Sequence, residues 1–219
     1  DQSTSRAVLS YDLACRADDF EGCALLGKAL EDGKRGGNAD MAGAADLYRK
    51  ACEGGATNGC FRLGGYYENG LIVAKDMDLA AQYYAKACDT DSADGCHALG
   101  MLYHEGRAGA VDKGRAAPFL AKACETGGHV ESCMLAGYIY QTGDGVTADA
   151  ARAALYYETA CDAEQTIACT SLGTMYFNGQ GMQRDYKASA ELFRRTLAID
   201  PGNATATDLL AKAEAQIKP

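Results

Sequence analysis

The stretch Cys88-Asp89-Thr90-Asp91-Ser92-Ala93-Asp94-Gly95-Cys96 places two cysteines around a short polar segment, and the same arrangement recurs along the chain. The pairs are Cys15/Cys23, Cys52/Cys60, Cys88/Cys96, Cys124/Cys133 and Cys161/Cys169, separated by 8, 8, 8, 9 and 8 positions. Successive first cysteines lie 37, 36, 36 and 37 positions apart, and all ten cysteines are used. A fixed period of this length marks a repeat array, in which length counts repeats rather than cores. The 219 residues therefore read as a single array over 1–219, with no linker or low-complexity segment dividing it.

Each repeat reads as two helices. Twelve positions before the first cysteine of each pair stands Ser3, Asp40, Asp76, Asp112 or Asp149, each a good N-cap residue whose side-chain oxygen can accept from the first helical turn. Residues such as Ala81, Tyr84, Ala85 and Cys88 then follow at the three-to-four spacing of a buried stripe. Lys50, Lys86 and Lys122 stand in the last turn, where a cation complements the helix dipole. This is the leading helix of each pair.

The second cysteine opens a trailing helix. Three positions on stands Leu26, Leu63, Leu99, Ala136 or Leu172, and four on always a glycine: Gly27, Gly64, Gly100, Gly137 or Gly173. A mid-helix glycine costs about 1 kcal/mol against alanine, so five in register predict close approach of another helix backbone. Ten positions on, Gly33, Gly70, Gly106, Gly143 and Gly179 suit the left-handed residue that ends a helix.

The array predicts six antiparallel helix pairs, five of them clasped. In the last pair Asp185 keeps the cap place, Leu197 replaces the cysteine, and residues 200–219 hold a C-terminal capping helix. Pro118 should kink or shorten its leading helix.

The cysteine spacing matches neither the short knuckles of zinc sites nor the C-x-x-C of redox dithiols. A helix end, a turn and a helix start would instead bring the two Cα atoms to about 5.5–6 Å, as a disulfide requires. Five hairpin disulfides imply an oxidising compartment, and the start at Asp1 without methionine fits a chain freed of its leader peptide. The expected location is periplasmic or secreted.

The net charge of -9, from 30 acidic and 21 basic residues, disfavours nucleic acid, and no apolar run is long enough for membrane insertion. No cofactor or metal ligand set is evident. His97 and His104 lie two turns apart on one helix, about 10 Å, too far for one ion, and read as solvated or hydrogen-bonded. No serine has lysine three positions on, and the clasps claim every cysteine, so catalysis has no motif.

The pattern Cys-x-x-Leu-Gly-x-x-Tyr-x-x-Gly, then Asp, then Ala-x-x-Tyr-x-Lys-Ala-Cys resembles the Sel1-like repeat, a relative of the tetratricopeptide repeat. With cysteines at this spacing it is similar to the Helicobacter cysteine-rich proteins and their bacterial homologues. The resemblance covers residues 3–199 and implies an all-α, right-handed superhelix of clasped pairs that binds proteins or peptides on its concave side. Penicillin-binding or weak β-lactamase activity is assigned to some members, so a cell-wall hydrolase is the alternative function, and a redox or metal-handling factor the second.

If trailing helices line the concave face, positions one, five and eight after the second cysteine form a variable stripe: Ala24, Lys28, Glu31; Phe61, Gly65, Glu68; His97, Met101, His104; Met134, Tyr138, Gln141; Thr170, Thr174, Phe177. Phe61, His97, Met101, His104, Met134, Tyr138 and Phe177 are the candidate groove residues, because large apolar groups off the core need a cover. Packing against the neighbouring hairpin is the other reading of them. Glu31, Glu68 and Glu105 read as a solvated face. The expected protein is a monomer that binds a protein or peptide.

Overall fold

The computed structural model describes residues 2–34, 37–72 and 74–217, without the side chains of Gln2 and Ser3, and among the described residues every regular element is a helix. In order they are α1 (Gln2–Arg16), α2 (Phe20–Glu31), α3 (Met41–Glu53), α4 (Thr57–Asn69), α5 (Met77–Asp89), α6 (Ala93–His104), α7 (Lys113–Gly127), α8 (Val130–Thr142), α9 (Ala150–Asp162), α10 (Thr166–Asn178), α11 (Tyr186–Ile199) and α12 (Ala204–Ile217). Odd-numbered helices are leading, even-numbered helices trailing. Two compact units contain them, Asp1–Val111 with α1 to α6 and Asp112–Pro219 with α7 to α12. Within each unit, helices adjacent in sequence pack against one another.

The caps form where the aspartates stand. Asp40, Asp76, Asp112 and Asp149 accept from the backbone N–H of Gly43, Leu79, Arg115 and Arg152 at 2.8–3.0 Å, and Asp185 accepts from Lys187 and Ala188. Ser3 differs. It lies inside α1, which already runs at Gln2, so it does not precede the helix as a cap would, and its side chain falls outside the described residues. The five glycines at helix ends take φ between 65° and 75°, the left-handed region that glycine enters without a Cβ clash.

All five cysteine pairs are bonded, Cys15 to Cys23, Cys52 to Cys60, Cys88 to Cys96, Cys124 to Cys133 and Cys161 to Cys169, and no described cysteine is free. Their Cα atoms lie 4.4–4.8 Å apart, closer than the expected 5.5–6 Å. The residue before the second cysteine explains this. In three clasps it is glycine, and a Cβ on Gly22, Gly59 or Gly95 would come 2.6–2.7 Å from Ala14, Ala51 or Ala87. Where Ser132 and Ala168 take that place, the separations are the larger ones, 4.8 and 4.6 Å.

The clasp cysteines, bonded as the spacing predicts, are also core residues. Cys23 and Cys133 are 0% exposed, as are Cys96, Cys161 and Cys169, and the other five are buried too. The reason lies in where the second cysteine stands. It opens a trailing helix on the side that packs inward, so Cys23 joins Leu26 of its own helix and Ala51 and Ala56 of the next hairpin in one cluster. Beside Cys133, Ser132 is buried as completely. Cys23 and Cys133 therefore present no sulfur to a ligand, a metal or a redox partner; they hold the interior together.

Each clasp turn also closes with its own backbone. Gly55 donates to the Cys52 carbonyl and Ala56 to that of Ala51, the paired bonds of a Schellman ending, and Ala56 is at once the N-cap position of α4. The left-handed place is filled by Gly55 and Gly128, but elsewhere by Asp18, Asp91 and Glu164, side chains that seldom enter it. One residue thus ends a helix and starts the next.

Between hairpins the mid-helix glycines do other work than the sequence predicts. Four of the five, Gly27, Gly64, Gly137 and Gly173, receive an aromatic ring as nearest neighbour, and only at Gly27 does a helix backbone also come close, the Ala44 carbonyl at 3.2 Å from an added Cβ. A Cβ on Gly27, Gly64 or Gly137 would lie 2.9, 2.6 or 2.8 Å from the ring of Tyr48, Tyr84 or Tyr157, and one on Gly173 would lie 2.7 Å from Phe193. Each ring comes from the following leading helix, beside small buried residues such as Ala44, Ala80 and Ala153.

Two basic residues at this register, Lys50 before Cys52 and Arg195 before Leu197, reach backward as well. Lys50 donates at 2.9 Å to the carbonyl of Cys15 in the preceding clasp, and Arg195 at 3.1 Å to that of Cys161. These cations therefore tie a hairpin to its predecessor.

Pro118 does not shorten its helix: α7 runs unbroken from Lys113 to Gly127. The ring cannot donate to the carbonyl of Gly114, and the turn on either side keeps its bonds. In the last pair, α12 covers Phe193 and Ala190 of α11 with Ala213, and Leu209, Leu210 and Ile217 pack at the edge.

Candidate binding face on the trailing helices

In the unit Asp1–Val111, α2 and α4 lie side by side and leave a hollow of about 170 Å³ lined by Ala24, Leu25, Lys28, Tyr48, Asn58 and Arg62. Two stripe residues line it. Lys28 is held by Glu31 at 3.3 Å and Asp32 at 2.7 Å, and Asp32, bridged by Lys28 and Lys34, is pulled down to about 2.

The glutamates of this stripe are not simply solvated. Glu31 accepts from the Tyr48 hydroxyl at 2.8 Å, and Glu68 from Tyr84 at 2.5 Å and from Arg107. Burial, then the bond to the carboxylate, pushes both tyrosines far above their ordinary pKa. Glu105 behaves closer to expectation, as an exposed partner of Arg107 at 2.6 Å.

Phe61 is half-buried, packed on the Cys52/Cys60 clasp and Ala87 with its ring 5.7 Å from that of Tyr84. Gly65 stands 3.6 Å, by its absent Cβ, from the Tyr84 hydroxyl. His97 and Met101 are half-buried on α6. His104 departs from the solvated or hydrogen-bonded reading: its Nδ1 is buried with no hydrogen-bond partner among the described residues. In register it stands where Glu31, Glu68 and Gln141 stand.

In the unit Asp112–Pro219, a hollow of about 300 Å³ is lined by Gln141, Ile167, Thr170, Ser171, Thr174, Asn203 and Thr205. It brings together three stripe residues, Gln141, Thr170 and Thr174. Gln141 accepts from Tyr157 at 2.9 Å, while Thr170 and Thr174 donate to carbonyls of their own helix. Tyr138 is 48% exposed with the Lys113 ammonium 6.0 Å from its ring, and Met134 is half-buried. Phe177 packs against the Phe193 cluster and meets Tyr186 edge-on at 5.3 Å.

The structure adds residues that the three-column stripe missed. Leu25, Arg62 and Ser171, two positions after the second cysteine, and Asn58 and Ile167, two before it, line the hollows. Their variation between repeats was the available signal: a helix face takes the i+3 as well as the i+4 neighbours. Among the described residues no three His, Cys, Asp or Glu side chains gather as a metal site, and no helix is long and apolar enough to cross a membrane.

Residues 20–55, 57–91, 93–127, 130–164 and 166–197 each match the Sel1 repeat. No curated protein matches the chain at a significant level. A protective antigen of uropathogenic Escherichia coli with an SLR fold is similar at 28% identity and a TM-score of 0.71, over 94% of this chain and 43% of that one. This chain thus spans less than half the length of that relative. A Sel1 repeat protein from Oxalobacter formigenes is similar at 24% identity and a TM-score of 0.68, over 97% and 92%. Helicobacter pylori cysteine-rich protein B shares 33% identity over 60% of this chain and 92% of its own, with a TM-score of 0.48.

Proposed function

The chain belongs to the Sel1 repeat family, whose modules are non-catalytic scaffolds for protein–protein interaction, and on that premise we propose that its trailing-helix faces bind a protein or an extended peptide. One observation carries this reading. The face of α8 and α10 stays open, with Tyr138 and Ile167 48% and 66% exposed beside a hollow whose polar lining is neutral amide and hydroxyl. Such a surface offers rigid aromatic and aliphatic anchors among groups that can pair with peptide amides. On this proposal Met134, Tyr138 and Phe177 serve the face of one unit, and Phe61, His97, Met101 and His104 that of the other.

Five disulfides require an oxidising environment. We place the protein in the periplasm or outside the cell, as one repeat array closed by residues 200–219. Neither the hydrolase nor the redox reading gains an observation.

A photo-crosslinking phenylalanine analogue at Tyr138 should capture a partner from envelope extract, whereas the same analogue at Leu155, 62% exposed on leading helix α9, should not. Capture should disappear on adding Ile167→Ala. Equal capture from both positions would reject the face.

A further inference from the structure

Three internal seams follow one rule, and α1 carries its leading-helix half with no described helix opposite. In three seams a tyrosine four before the first cysteine sets its ring on a glycine and donates to Glu or Gln four residues beyond that glycine: Tyr48 on Gly27 and Glu31, Tyr84 on Gly64 and Glu68, Tyr157 on Gly137 and Gln141. At the same register α1 presents Tyr11, and Ala7 stands where Ala44, Ala80 and Ala153 lie buried in the seams.

Tyr11 is partly buried against the core of α1 and α2 and lines a hollow of about 400 Å³ with Ala7, Val8, Leu25 and Ala29. Leu13, in the register of Lys50, is 66% exposed, and Leu9 is 62% exposed.

We infer that this face of α1 and α2 is a docking seat for one further helix of Sel1 type, presenting glycine to the Tyr11 ring and Glu or Gln four residues later to its hydroxyl. This seat continues the seams inside the chain and is independent of the trailing-helix face. A second copy is a poor occupant. Counted from its N-cap Asn203, α12 holds Ala211 at the glycine register and Ala215 at the acceptor register, so it would bring a Cβ against the ring and no acceptor to the hydroxyl. The glycines of α2, α4, α8 and α10 already hold Tyr48, Tyr84, Tyr157 and Phe193.

The test adds a copy of residues 40–75, which carries its own clasp, directly ahead of Ser3. Amide exchange in α1 should slow by at least about tenfold while α11 is unchanged. With Gly64→Leu in the added copy the protection should vanish, and with Glu68→Ala it should weaken. The intact copy failing to protect α1 although its clasp is oxidised, or the Gly64→Leu copy protecting equally, overturns the proposal. So does sedimentation showing the unextended chain dimerising in a manner abolished by Tyr11→Ala, because the seat would then belong to a second copy.

Discussion

Within a clasped hairpin the chain is joined by a disulfide and by backbone bonds, while between hairpins it is joined by a ring on a glycine and a hydroxyl on an acceptor. The clasp at Cys52 and Cys60 would close in the same way whatever stood at Glu53, Thr57 or Asn58, because its bonds come from sulfur and main chain. The seam has no such tolerance. Tyr48 is 1% exposed, its ring has no room for a Cβ on Gly27, and its hydroxyl needs Glu31. Cohesion along the array is thus a side-chain property, and local closure is not.

Alkaline pH should break the seams together and leave the clasps closed. Burial is the first cause that pushes the seam tyrosine Tyr157 up to about 12, and it raises Tyr48 and Tyr84 further still. Unfolded tyrosines ionise near pH 10. A folded pKa above the unfolded one means a contribution fully present below about pH 10 and lost as pH rises towards 12. Helicity by circular dichroism should therefore collapse between these values, in step with tyrosinate absorbance. Tyrosines that all titrate near pH 10 with helicity intact would contradict their burial.

A single seam is tested by Gly137→Leu, which drives side-chain volume into the Tyr157 ring at a site where even a Cβ would stand at 2.8 Å. Overpacking of this kind should cost about 3 kcal/mol in urea unfolding. The clasp counterpart is the pair Cys161→Ala and Cys169→Ala. Opening a loop of this length removes about 2.5 kcal/mol on the chain-entropy account, and exchange should rise in α9 and α10 before α11 and α12, which have no clasp. A cost well above that of Gly137→Leu would reverse the ranking of the two joints.

The same division governed what could be read from sequence. Asp76, Gly70 and the Cys88/Cys96 pair act on residues within ten positions, so their spacing alone announced caps, helix ends and clasps. Spacing paired Cys23 with Cys15 and Cys133 with Cys124, but it said nothing of depth, and both prove to be interior. The seam partners lie 16 or 17 positions apart on different helices, as Tyr84 to Glu68 and Tyr48 to Glu31 do. Periodicity shows that each helix has a face, but not which residue meets which across it. Gly64 was therefore assigned to a neighbouring backbone, and Glu68 to solvent. Asp91 and Glu164 in the left-handed region were illegible for another reason, since only glycine advertises that conformation. On the candidate face, Ile167 was missed because a single i, i+4, i+7 column is narrower than the surface of a helix.

The smallest effect separates the two halves of a seam. Tyr157→Phe keeps the ring on Gly137 and removes only the donor to Gln141, whose side chain is half-exposed and can turn to water. The expected loss is about 1 kcal/mol, the net worth of one hydrogen bond whose acceptor is resolvated. The seam of α10 and α11 is the natural precedent: there Phe193 fills the ring seat, Phe177 stands at the acceptor register, and the Ser189 hydroxyl donates to the Gly173 carbonyl at 2.8 Å. If Tyr157→Phe instead matches the cost of Gly137→Leu, the hydroxyl and not the ring determines how hairpins join. The preference for glycine opposite it would then need another cause.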